Sequence, residues 1–314
     1  MKLTNKYTKK LGKVIILNLV AIFIIFSANN SVSAHDPKRK VVANKIFGKF
    51  SVSTDEHSEP IGYYAKGCLA GGEALPLKGT TWQVMNPSRN RNWGHIETID
   101  FIKRLSRKAT EIGWLGLYIG DISQPRGGPM PYGHKSHQIG LDVDIWLLPP
   151  QKLNLEKEEL KKVKQKSIRS KDKRNINKNW TKNHMKILKA AALDPSVDRI
   201  FITAPAKIWM CQNAGVSRDW LQKIRPLGGH NKHFHVRLKC PPTSAHCVSQ
   251  NPSISNLSQT KDGCDHTLKW WVTKALEPYK KQADPQKEKP PKKNALSYTM
   301  EDLPNQCTSI IHKN

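Results

Sequence analysis

Two short segments in which ionisable side chains alternate with apolar ones restrict this chain more than any other feature. The first is Leu141-Asp142-Val143-Asp144-Ile145 and the second is His233-Phe234-His235-Val236-Arg237. Successive side chains of a β-strand point to opposite faces. Leu141, Val143 and Ile145 therefore share one face, and Asp142 and Asp144 the other. Likewise Phe234 and Val236 turn inward while His233 and His235 turn outward together. A carboxylate on a face that becomes buried is costly unless a cation compensates it, and a zinc ion bound by His and Asp would do so.

The flanking residues extend the pattern. The windows read G-H-K-S-H-Q-I-G-L-D-V-D from Gly133 and G-H-N-K-H-F-H-V-R from Gly229, and they hold five of the twelve histidines. Catalytic zinc takes three protein ligands and leaves a fourth position for water. His137, Asp144 and His235 supply two imidazoles and a carboxylate for that role. His233 would then stand beside a water whose pKa falls towards about 7 on the metal. Taken singly the pieces have ordinary readings: an H-x-H pair on a surface, two aspartates on a solvated strand face, His134 in a loop. H-x6-D on one strand with H-x-H on another is what points to a metal. His95 and His184 lie outside the windows and read as ordinary surface or core histidines.

Other chemistries find less support. Ser136 lies between two histidines without a G-x-S-x-G elbow around it, and no Gly-rich phosphate loop is present. The formal charge is +27, from 52 Lys and Arg against 25 Asp and Glu. Such a field favours an anionic partner. Export, argued next, selects the cell envelope over nucleic acid, for which no specific binding is expected.

Residues 1–34 read as a secretory leader: five lysines, an apolar run from Val14 to Phe26, and the small-residue site Val32-Ser33-Ala34. Cleavage is expected after Ala34. An uncleaved anchor is the alternative, but the run is shorter than the roughly 20 residues a spanning helix needs. Six cysteines bound for an oxidising compartment predict three disulfides. They contain no C-x2-C pair for a Cys-rich metal site, and the spacing leaves fifteen pairings open.

Residues 35 to about 60 read as an extended arm. Ile96, Ile99, Ile102, Leu105, Ala109 and Ile112 predict a helix over 96–112. Strands are expected over Leu115–Ile122, Leu141–Leu147, Arg199–Thr203 and His233–Lys239. Residues 151–179 predict a short helix followed by a loose basic excursion, and a helix follows over Thr181–Leu193 with Thr181 as N-cap. A Lys/Pro-rich stretch, about 282–294, reads as extended. No internal repeat is present. Mixed helices and short strands suit an α+β domain.

The two histidine windows, with R-x-W-G-H-x-E-x-I-x-F-I-K-R-L-S from Arg91 and R-I-F-I from Arg199, resemble the penicillin-insensitive murein endopeptidases. These belong to the wider group of lysostaphin, D-Ala-D-Ala peptidases and the hedgehog domain. The resemblance implies a single domain over 35–280, with a small central, mainly antiparallel sheet carrying the zinc site and helices flanking it. A tail over 281–314 would be tethered by Cys307. It implies His137, Asp144 and His235 as zinc ligands, and His233 as base or transition-state stabiliser with His230 assisting. A second metal position would use His134 and Asp172, but Asn175 stands where the family has a further histidine. The implied disulfides are Cys68–Cys307, Cys211–Cys264 and Cys240–Cys247. The implied activity is hydrolysis of D-alanyl–meso-diaminopimelyl cross-links of periplasmic peptidoglycan, with no acyl-enzyme. A homodimer is one assembly it allows. Arg91, Arg126 and Arg237 are candidate clamps for substrate carboxylates. A zinc D-Ala-D-Ala carboxypeptidase or dipeptidase, and a non-catalytic zinc-containing envelope-binding protein, are the competing readings.

Overall fold

In the computed structural model, which describes residues 41–278 and 293–313, the two alternating segments are neighbouring strands. Along the chain the elements are α1 Ala43–Phe47, β1 Glu59–Tyr63, β2 Lys66–Ala70, β3 Glu73–Ala74, β4 Trp82–Val84, β5 Trp93–Gly94, α2 Ile96–Ile112, β6 Leu117–Ile119, β7 Asp142–Trp146, α3 Lys157–Lys162, α4 Lys182–Leu193, β8 Val197–Ile202, α5 Ala204–Asn213, β9 Ile224–Pro226, β10 His233–Leu238, α6 Leu268–Val272 and α7 Gln306–His312.

Six strands form the main sheet in the order β4-β6-β7-β10-β8-β9. Its three inner pairings are antiparallel and its two edge pairings parallel. The expected α+β class, with a mainly antiparallel sheet and flanking helices, therefore holds. The parallel pair β4–β6 is joined through α2, the kind of crossover that parallel neighbours need.

The register between β7 and β10 decides what the sheet presents. Val143 lies opposite Val236 and Ile145 opposite Phe234, and all four are buried in the main core with Leu105, Leu117, Ile187 and Ile200. Burying each such side chain contributes about 1.5–3 kcal/mol. The intervening pairs, Asp142 opposite Arg237 and Asp144 opposite His235, take the other face.

Helix α2 has the bounds its periodicity predicts, burying Ile99, Ile102, Leu105 and Ala109 while Ile96 stays exposed in the first turn. His95 caps it: Nδ1 accepts the Glu97 amide at 3.1 Å. Gly113 ends it in the left-handed region at φ +99°, where a side chain would be strained. Thr181 is the N-cap of α4, and its amide donates to His184 Nδ1 at 3.0 Å. His184 Nε2 donates to the Leu147 carbonyl at 2.8 Å, so this histidine is a buried cap.

Several expectations need correction. The strand expected over 115–122 contracts to Leu117–Ile119, because the chain leaves the sheet at Gly120 to build the site described below. The arm expected up to residue 60 is not extended where it is described. Ala43 and Phe47, four residues apart, bury one face of α1 against Cys68, Cys307 and Ile310. The basic excursion is pinned, not loose: Ile168 is fully buried and its amide donates to the Asn231 carbonyl at 2.9 Å. The hairpin β1–β2, and α5, β9 and α7, carry no period strong enough to have been read from sequence. The leader, and the Lys/Pro stretch apart from Lys293 and Asn294, lie outside the described residues.

Disulfides join Cys68 to Cys307, Cys211 to Cys264, and Cys240 to Cys247, the pairing that the resemblance implied. The first brings the C-terminal helix α7 back to β2 across 239 residues of sequence. Within α5, Lys207 is completely buried and donates to the carbonyls of Leu221, just before β9, at 2.6 Å and of Asp262, beyond β10, at 2.7 Å. Burial, with Arg225 nearby, pushes its ammonium down to about 7.

Two outcomes are expected from these contacts. Replacing Cys68 and Cys307 by Ser removes the longest cross-link and lowers unfolding free energy by about 2–5 kcal/mol in chemical denaturation; an unchanged midpoint would refute the tether. For Lys207, the folded pKa lies below the unfolded one, so the unfolded chain binds the extra proton between about pH 7 and 10. Its contribution to stability therefore rises with pH across that window. Lys207→Met should flatten this rise, and an identical pH slope in variant and wild type would exclude it.

Candidate metal centre

The polar face of β7 and β10 receives a third contributor, the loop 120–138. Its placement begins at Gly120, whose amide donates to the Asp144 carbonyl at 2.7 Å, while the Asp144 amide donates to the Asp121 carbonyl at 3.0 Å. The loop continues to His137, which sits at φ +68°. That conformation is costly for a residue with a side chain and persists only where its surroundings over-determine it. Here they do. The His137 amide donates to Asp142 Oδ2 at 3.0 Å, its carbonyl accepts Ser123 Oγ at 2.8 Å, and its Nδ1 donates to the Ile122 carbonyl at 2.6 Å.

A carbonyl can only accept, so the proton of His137 is on Nδ1 and a lone pair is on Nε2. On β10, His235 Nε2 lies 3.0 Å from Asp142 Oδ1, a charge contact rather than an aligned hydrogen bond, and the nearby carboxylate favours the tautomer with its proton on Nε2 and its lone pair on Nδ1. The two lone pairs face each other: His137 Nε2 and His235 Nδ1 are 3.2 Å apart. Asp144 Oδ1 completes a triangle, 3.4 Å from His137 Nε2 and 3.3 Å from His235 Nδ1. This oxygen is buried and accepts no hydrogen bond.

Three electron-rich atoms converging in a buried place repel one another unless a cation lies among them. A tetrahedral ion with bonds of about 2.0–2.1 Å holds its ligand atoms about 3.3 Å apart, which matches all three edges. His134 adds a further imidazole. Ligand atoms of His134, His137 and Asp144 all lie within 4.8 Å of one another, so this group could hold a metal ion. His134 Nε2 lies 3.7 Å from Asp144 Oδ2 but closer, at 3.0 Å, to Asp121 Oδ2. The tighter triangle is thus the one that includes His235.

Asp142 orders the centre without facing it. It is completely buried and holds Arg237 through two contacts, Nε at 2.7 Å and Nη2 at 3.0 Å, besides His235 and the His137 amide. Burial would raise its carboxyl; Arg237 and then His235 hold it well below the usual range. Burial opposes the charge on Asp144 too, and His233 and His137 outweigh it. Asp121 is brought down to about 2 against its burial by His134 and Arg91, whose Nη1 lies 2.9 Å away.

Along β10, His233 Nε2 stands 3.5 Å from Asp144 Oδ2 at the edge of the cleft, and burial lowers its pKa. His230 packs on it with ring centroids 5.1 Å apart. Burial, then the neighbouring His235 and His233, push His230 down to about 4. Its Nδ1 donates to the Gly228 carbonyl at 2.8 Å, which leaves Nε2 as an acceptor. Both imidazoles are therefore favoured in the neutral form. The cleft that His233 faces has a volume of about 560 Å³ and is also lined by Asp121, His134, Asp144 and Trp146.

The structure gathers His134, His137, Asp144, His230, His233 and His235 in one place. Asp172 is not in this group; it lies in an exposed turn, accepting the Ser170 hydroxyl at 2.5 Å and the Arg174 amide at 3.0 Å. The three arginines considered as substrate clamps are buried and occupied. Arg237 serves Asp142. Arg91 serves Asp121 and the Tyr132 carbonyl at 3.0 Å. Arg126 donates to the carbonyls of Ile310 at 2.8 Å and Lys313 at 2.6 Å. Two contributors were missed. Asp142 could have been found by pairing the alternating segments antiparallel, which sets it against Arg237. Asp121 has no spacing signal, because only the loop's return brings it to His134.

Comparison with known proteins identifies the family. Residues 60–312 match the family model described as penicillin-insensitive murein endopeptidase. The chain is 42% identical over 224 residues to the penicillin-insensitive murein endopeptidase of Haemophilus influenzae, covering 70% of this chain and 75% of that protein. It is 38% identical over 253 residues to the Yersinia enterocolitica protein of the same name (81% and 85% covered), and 36% over 263 residues to that of Klebsiella pneumoniae strain 342 (84% and 89%). With its metal-compatible histidine cluster and a match running from the first hairpin to the last helix, this chain belongs to the penicillin-insensitive murein endopeptidase family.

Proposed function

We propose that this chain is a zinc metalloendopeptidase of the periplasm that hydrolyses the D-alanyl–meso-diaminopimelyl cross-links of peptidoglycan. The observation that carries the reading is the triangle of His137 Nε2, His235 Nδ1 and Asp144 Oδ1, with edges of 3.2–3.4 Å. Two imidazoles and one carboxylate, with their other polar atoms already committed, are a donor set suited to zinc. Family membership supplies the substrate class: the related proteins are named as murein endopeptidases. The expected export of the chain, and the net charge of about +22 that remains of +27 once the five leader lysines are removed, fit an anionic cell-wall polymer.

His137, Asp144 and His235 would hold the metal. When bound, zinc supplies a Lewis acid for the scissile carbonyl and makes water a stronger nucleophile at neutral pH. The remaining steps belong to the chain. His233, at the cleft edge and kept neutral by burial, accepts the proton of the attacking water and returns it to the leaving amine. His230, packed on His233, steadies it and offers a second neutral acceptor. Asp142 keeps His235 in the tautomer that presents Nδ1, and the Ile122 carbonyl does the same for Nε2 of His137. Asp121 and His134 border the cleft beside them, and Asp172 has no part in this reading. Hydrolysis by water in one addition leaves no serine ester for a β-lactam to trap.

Metal analysis and turnover assays test the proposal. Wild-type protein should carry about one firmly held zinc per chain, lost in His137→Ala, and chelation should abolish cleavage of a cross-linked muropeptide dimer. Cleavage that survives full metal removal would overturn the reading, and release of terminal D-alanine alone would reassign it to a carboxypeptidase. His233→Ala should keep the zinc while kcat falls about 10²- to 10⁴-fold. Unaltered kcat in that variant would remove His233 from the chemistry.

A further inference from the structure

The cleft beside the metal centre has a basic wall that the chemistry above does not use. Arg89, Lys161, Lys164 and Lys232 line it together with Asp121, Asp144 and His233. Their availability differs. Arg89 Nη1 is 3.2 Å from Asp121 Oδ2, and Lys161 Nζ is 2.6 Å from Glu158 Oε1. Lys164 and Lys232 are exposed and make no ion pair among the described residues. The two acids of the cleft are occupied as well, Asp121 by Arg91 and His134, and Asp144 among the imidazoles. Two exposed lysines without an ion-pair partner among the described residues therefore line the cleft, and its two acids are already engaged.

The segments that carry the two lysines are also tied to one another. Lys232 directly precedes His233, and its carbonyl accepts the Leu147 amide at 2.9 Å. Lys164 follows α3 on the basic segment 163–168. That segment is fastened to the chain beside Lys232: the Ile168 amide donates to the Asn231 carbonyl at 2.9 Å, and Asn231 Nδ2 donates to Ser167 Oγ at 2.8 Å. The excursion thus has a positional role, bringing Lys164 to the cleft that Lys232, just before β10, also lines.

We propose that Lys164 and Lys232 form a carboxylate-binding subsite that recognises the diaminopimelyl side of the substrate. This rests on the endopeptidase reading. In a D-alanyl–diaminopimelyl link the carbon that bears the leaving amine also bears a carboxylate, so a free carboxylate necessarily accompanies the scissile bond into the cleft. Exposed ammonium groups attract it over a Debye length of about 8–10 Å. Lysine, a flexible point charge, suits this contact better than the rigid fork of arginine, which here is consumed in internal pairs. The subsite would discriminate the acid from its amide while taking no part in bond cleavage.

The test uses zinc-loaded full-length protein and two cross-linked muropeptide dimers, one with that carboxyl free and one with it amidated. Wild type should cut the free-acid dimer with a lower KM, and that KM should rise with ionic strength. Lys164→Gln and Lys232→Gln should each raise KM for the free-acid dimer by about two- to fivefold, the span an exposed ion pair supplies, with kcat changed less than twofold. The double variant should lose both the salt dependence and the preference for the acid, and Lys→Arg at both positions should retain them. Wild type that cuts both dimers with equal KM, or a double variant that still discriminates, overturns the subsite while leaving the endopeptidase reading intact. Wild type that cuts neither dimer overturns both.

Discussion

The site depends on one buried ion pair. Asp142 has no access to water, and without Arg237 its charge would be uncompensated in the sheet. Removing one partner of such a pair costs about 3–5 kcal/mol, so it constrains the structure strongly even if its net contribution to stability is small. Its two oxygens are shared among Arg237, His235 and the His137 backbone. One carboxylate therefore locks β7 to β10, selects the tautomer of His235 and anchors the loop that carries His137. Arg237 is further held by Gln250 and by the face of Tyr64, 4.1 Å from the ring centroid.

The loop that contributes His137 is secured from the far end of the chain as well. The Gly128 amide donates to the Gln138 carbonyl at 2.9 Å, and the Arg126 carbonyl accepts the Leu69 amide at 3.0 Å. Leu69 is next to Cys68, which is tied to Cys307, and the Arg126 guanidinium grips the carbonyls that end α7. Helix α7 thus buttresses the loop 124–138 through a disulfide and two hydrogen bonds. This gives the cysteines a role beyond cross-linking a basic tail: they help hold a strained histidine in place.

Charge is divided by depth. Buried arginines, with their planar forks, serve internal carboxylates and carbonyls, whereas exposed lysines shape the mouth of the cleft. The high net charge alone would suit many anionic partners, and its distribution narrows them. The centre itself is nearly balanced, with carboxylates opposed by arginine and imidazole, and the excess lies around it, where it can steer an anionic polymer.

The pattern of side chains along the chain was enough to assign the α+β class, the span of α2, the N-cap of α4 and the polar faces of β7 and β10. All of these follow from local periodicity or local hydrogen bonding, which a sequence displays directly. The outer-face positions of Asp144, His233 and His235 were legible for the same reason, since alternation alone puts them there. What depended on tertiary structure was the use of each group. Pairing β7 with β10 in one register turned Asp142 and Arg237 from a surface carboxylate and a candidate clamp into an internal pair. The return of the chain after Gly120 delivered Asp121, and burial of Ile168 drew a seemingly loose basic run against the cleft. These outcomes rest on contacts between residues as far apart as His137 and His235, 98 positions in sequence, and no local preference encodes which distant partner will neutralise a buried charge.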